Sequence, residues 1–199
     1  MRPLCSTRDL YVLLRDNANK DPVLEKLWTQ VDTVPEWVDW ERVGRGQEFF
    51  YRYAAPTITG FAFQGLLSLT AQGPSRRPVE TLMRAGGHST KVDKKRLFEA
   101  FQLLLQASQS LETIQPRGSG HAAVIRVHFL HATMRQRILK LAGVRPSYFN
   151  NETGGIPTND LDCMQSVCAF SANLIYVTPP ARRIYAREQE AADYIALWR

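Results

Sequence analysis

Three of the four histidines, His121, His128 and His131, fall within residues 119–142, together with Arg126, Arg135 and Arg137 and without one acidic residue. Histidine offers a neutral nitrogen near physiological pH and is the commonest side-chain metal ligand. His128 and His131 are spaced i, i+3, so a helix would turn both toward one ion. At 3.6 residues per turn, His121, Val124, His128, His131, Arg135 and Ile138 lie on or near one face. Zinc and non-haem iron need three or four protein ligands, usually with a carboxylate or thiolate among them. This stretch supplies neither and has no HExxH pattern. Haem iron needs only one axial histidine, cations for two propionates and an apolar cavity between helices. His131, with Arg126 and Arg135 near it and Phe- and Leu-rich segments around it, meets that description. An ordinary core histidine with hydrogen-bonded nitrogens meets it too. Residue types alone leave both readings open.

Helices must hold these residues. Residues 9–16 form a short amphipathic segment. Asp21-Pro22 is an N-cap with proline at the first helical position, opening VLEKLWTQV. Pro35 breaks the chain before a helix over 39–53. Pro56 restarts a helix through ITGFAFQGLLSLT, whose Gly60, Ala62 and Gly65 would admit a second helix or a flat ligand. A short helix over 79–85 ends at Gly86-Gly87. A long helix spans 90–113, with Leu97, Phe98, Phe101, Leu104, Leu105 and Leu111 as its apolar stripe. Pro116, Gly118 and Gly120 turn the chain into the histidine helix, and a loop over 145–157 follows. Thr158 or Asn159 caps the next helix, with Asp160 and Asp162 in its first turn, running to Val177. Pro179-Pro180 separates it from a last helix over 181–199. Nothing alternates with period two. The expected class is all-α, a single multi-helix domain.

The chain has 199 residues, 44% hydrophobic and 22% charged, with a net charge of +6. That length supports one sizeable core. The positive charge is dispersed, and no Lys/Arg run exceeds Lys94-Lys95-Arg96. With no basic stripe and no recognition-helix motif, nucleic acid is not an expected partner. A basic all-α binding module for an acidic partner stands as the rival class. Cys5, Cys163 and Cys168 form no CxxC pair, which argues against a disulfide framework or zinc cluster and for an intracellular setting. Cys163 and Cys168 read as small core residues. Residues 54–71 carry Thr57, Thr59, Gln64, Ser68 and Thr70, so they read as a buried helix and not a transmembrane segment.

The string from Ile125 to Arg135, IRVHFLHATMR, resembles the R-x-x-x-x-H-A-x-x-R signature of the latex-clearing-protein (rubber oxygenase) family, which takes in the fungal MpaB-type oxygenases. KRLFEA at 95–100 resembles the R-R-L-x-x-T segment that precedes it, and GIPTND at 155–160 the G-x-P-x-N segment that follows. The stretch 37–67 is also similar to fungal members. The resemblance covers 37–199 as an oxygenase-like domain, leaving 1–36 as an N-terminal helical extension. It implies a globin-like α-helical core holding haem b. His131 would be the proximal iron ligand, Arg135 and Arg126 cofactor-binding cations, and Arg96 and Glu99 catalytic groups on the other side of the pocket. The implied activity is O2-dependent cleavage of C=C bonds in a hydrophobic, isoprenoid substrate, with a membrane-associated location by analogy. Ala100 stands where many members have threonine, Glu99 where latex-clearing enzymes have a distal lysine, and His128 where arginine is frequent. Arg199 falls within an amphipathic helix, so the domain is expected to continue past it. The alternative is a truncated, catalytically impaired relative.

Overall fold

The computed structural model describes residues 9–62, 90–149, 155–177 and 179–199. Its regular elements are α1 (Leu10–Asn17), α2 (Pro22–Asp32), α3 (Trp40–Arg52), α4 (Ala54–Gly60), α5 (Thr90–Ser108), α6 (Leu111–Ile114), α7 (Ser119–Val144), α8 (Asp160–Phe170), α9 (Ala172–Tyr176) and α10 (Glu188–Leu197). Single 3₁₀ turns follow α1 and α7 and precede α10. Among the described residues there is no strand, and the class is all-α. None of the helices searched is long and apolar enough to cross a membrane.

The helix starts follow from their caps. Asp9 accepts from the Tyr11 amide, Asp21 from Val23, Asp39 from Glu41 and Arg42, and Asn159 from Asp162. Each satisfies N–H groups that the first turn leaves without a partner. α4 begins at Ala54, ahead of Pro56. Proline fits there because the first turn needs no amide donor. The helix expected beyond residue 62, with Gly65, and the one over 79–85 lie outside the described residues.

Three expected helices are shorter than their patterns. The 90–113 helix breaks at Ser110, whose backbone is fully extended (φ −165°, ψ 165°). The Gln47 amide donates to the carbonyls of Ala107 and Ser110, each at 2.9 Å, and so satisfies acceptors that the break exposes. Phe98 and Leu105 of the expected stripe are exposed, whereas Leu104 is fully buried. The helix expected to reach Val177 breaks at Ser171, whose hydroxyl bonds back to the Val167 carbonyl at 2.7 Å. A hydroxyl bonded four residues back competes with the helical ladder. The last helix starts at Glu188, not 181. Pro179 and Pro180 lack amide donors, and Arg183 is left-handed (φ 60°). Cys163 is half-buried and Cys168 exposed, so Cys168 is not the core residue its spacing predicts.

The main core joins α3, α5, α9 and α10 through Phe49, Phe50, Leu104, Leu174, Ala191 and Tyr194, with Phe61. Phe170 stacks on Trp198 at 5.1 Å. Two smaller clusters flank α7. Tyr11, Trp28 and Val31 of α1 and α2 pack on Ala122, Ile125 and Phe129. On another face Met134, Ile138 and Ala142 pack with Phe149 and Tyr148. α7 is thus clamped along its length, which fixes the azimuth of every residue on it.

Candidate functional site

His131 sits midway along α7, half-buried, one turn above the Met134–Ile138 cluster. Burial pushes its ring below the ordinary histidine range, and the neighbouring charges of His128 and Arg135 push the same way against a smaller pull from Asp162. The imidazole is therefore neutral at pH 7, with a lone pair available.

The segment before α8 closes over this face. Thr158 is buried and left-handed (φ 51°), a costly conformation for a residue branched at Cβ. Arg135 holds it there: its Nε donates to the Pro157 carbonyl at 3.2 Å and Nη2 to the Thr158 carbonyl. The Thr158 hydroxyl is shared between the Pro157 carbonyl (2.7 Å) and the His131 carbonyl (3.3 Å). Asn159 and Asp162 complete a reciprocal capping box beneath. Cys163, beside Arg135, has its thiol pushed up by burial and stays protonated.

The other expected residues go elsewhere. Arg126 stands five residues before His131, about 140° round the helix. It pairs with Asp9 at 2.8 Å and lies 5.1 Å over the Tyr11 ring. It therefore locks α1 to α7. Asp9→Ala removes a cap and this ion pair together and should cost about 1 kcal/mol of unfolding free energy in urea titration. His128 is exposed and does not join His131 in a shared ligand pair. His121 is tied at both ring nitrogens, to the Arg117 amide and the Val31 carbonyl. Glu99 on α5 faces Lys95 at 3.7 Å. Arg96 is on α5 as well, with its side chain outside the described residues. Arg137 is exposed. Among the described residues, no three His, Cys, Asp or Glu side chains converge to hold a metal.

Sequence reasoning missed Thr158 as the strained residue over His131, because left-handed threonine leaves no trace in residue type. It did expose Asp162, as an acid in the first turn of the following helix.

Fold and site together define an all-α protein with a neutral, half-buried histidine, His131, on a clamped helix, covered by a loop that an arginine fastens. No family model matches the chain, and no solved structure matches it. It is similar to an aurantioclavine synthase of Penicillium expansum, 58% identical over 33 residues, which are 17% of this chain. The chain covers 7% of that relative's length.

Proposed function

We propose that the protein is an oxidoreductase of the rubber-oxygenase kind, a haem b-dependent oxygenase that uses O2 on the C=C bonds of a hydrophobic, isoprenoid substrate. One observation carries this reading: the histidine stretch (125–135) and the GIPTND stretch (155–160) of the family resemblance, apart in sequence, meet in space. Arg135 is bonded to the Pro157 and Thr158 carbonyls, and Thr158 to the carbonyl of His131. α5, which bears Arg96 and Glu99, packs against α7. The likeness to a synthase is short and assigns no chemistry to these residues.

The donor set fits haem in part. His131 offers the neutral imidazole that a one-ligand iron site requires. Arg135 uses two of its five N–H donors on the loop, so three remain for an anionic edge. Arg126 does not fit as a propionate partner, because it faces α1 and is spent on Asp9. When bound, haem would supply the oxygen chemistry. The chain's own residues position it. His131 presents its lone pair, Thr158 fixes the backbone carrying that ring, and Arg135 fixes the loop that keeps water from one side. The globin-like arrangement of the core belongs to this proposal.

The test is haemin titration of the purified protein, followed by absorbance. The wild type should develop a Soret band with one-to-one stoichiometry. His131→Ala should lose it, and His128→Ala, altering an exposed residue, should keep it. A wild type that takes up no haemin, or a band indifferent to His131→Ala, overturns the reading.

A further inference from the structure

A second region has the makings of a binding site. A cavity of about 160 Å³ opens where the segment after α2, the start of α3, the turn before α7 and the end of α10 converge. Its walls include Trp37, Trp40, Val43, Ile114, His121 and Arg199. It is independent of the proposed haem ligand, since His121 and His131 are ten residues apart on α7, about 15 Å along its axis.

The walls specify what could enter. A cavity of roughly 150 Å³ holds one benzene ring, so this space suits a single ring with a small substituent. Two indoles and aliphatic side chains favour an apolar, flat body. His121 adds another flat wall and no free nitrogen. The Arg117 amide donates to its Nδ1 at 3.3 Å, so the proton sits on Nε2, which donates to the Val31 carbonyl at 2.9 Å. The lining carries one formal side-chain charge, Arg199. Its guanidinium lies 4.7 Å over the Trp37 ring, and among the described residues no side-chain carboxylate pairs with it. A cation at the rim of an apolar slot selects an anion attached to a ring.

We propose that this cavity binds a single-ring aromatic carboxylate, its ring against Trp40 and His121 and its carboxylate on Arg199. The Trp37 ring pre-orients the guanidinium, which lowers the ordering cost of the ion pair.

Titrating the ¹⁵N-labelled protein with sodium benzoate tests this. The indole N–H signals of Trp37 and Trp40 should shift together and saturably, and that of Trp28, which packs against Tyr11 and does not line the cavity, should not. Benzyl alcohol, with the same ring and no charge, should bind about tenfold more weakly. R199Q changes an exposed residue, so it should fold as the wild type does and bring benzoate down to the level of benzyl alcohol. Absent or unsaturable shifts, equal affinity for the two probes, or undiminished benzoate binding by R199Q each overturn the proposal.

Discussion

Gly46→Ala should lower the thermal unfolding midpoint by about 10 °C, corresponding to about 3 kcal/mol. Gly46 is buried in α3 where that helix meets α10. A Cβ built on it would lie 2.5 Å from the Asp193 carbonyl oxygen and 3.1 Å from the Tyr194 Cα. Both are backbone atoms, so no side-chain rotation relieves the clash, and the two helices must separate. Separation would disturb Tyr194, which is fully buried, packs tilted against the Phe49 ring at 5.0 Å and donates to the Phe170 carbonyl at 2.9 Å. Gly143→Ala is the control. Nothing lies within 4 Å of its added methyl, so the helix gains propensity and the protein should be stabilised by about 0.5–1 kcal/mol. Circular dichroism melts of both variants separate a packing effect from a generic effect of replacing glycine. Equal midpoints for Gly46→Ala and the wild type would refute the close approach of α3 and α10.

That junction marks the limit of what the residue pattern discloses. Asp9, Asp21 and Asp39 announce helix starts because a cap is a local event, completed within three residues. The breaks at Ser110 and Ser171 are not local. Ser110 is held extended partly by Gln47, 63 positions away, and no periodicity within 90–113 contains that information. The site divides along the same line. His131 and Arg135 stand out by type and spacing, and the capping residues around Asn159 mark the helix that covers them. Arg126 shares the histidine helix but not its face, since five residues set it about 140° round from His131, and its side chain is taken up there by Asp9, 117 positions earlier. A helical wheel predicts which residues share an azimuth. It does not predict which partner each long side chain reaches.

Asp193→Asn should cost about 2 kcal/mol at pH 7, the scale of a hydrogen-bonded charge lost from the interior. Asp193 is 2% exposed on α10. Arg45 reaches it at 2.7 Å and Arg42 at 3.3 Å, both from α3, and Gln189 donates at 2.8 Å. The Arg45 hydrogen bond, with those of Gln189 and Arg42, holds the carboxyl below its ordinary value of 3.8, although burial alone would raise it. A carboxyl whose pKa is depressed by folding contributes stability above its unfolded value and loses that contribution as pH falls through the folded one. The wild type should therefore exceed Asp193→Asn by the full margin at any pH well above 3.8, and the margin should shrink below that value. Both arginines are half-exposed, so when the carboxylate is gone they turn to water. This keeps the cost below that of stranding a buried cation. Urea unfolding of the two proteins at neutral and at strongly acidic pH gives the comparison. A margin that stays constant across the two conditions would mean that the α3–α10 junction rests on packing around Gly46 alone, and not on the Asp193 charge.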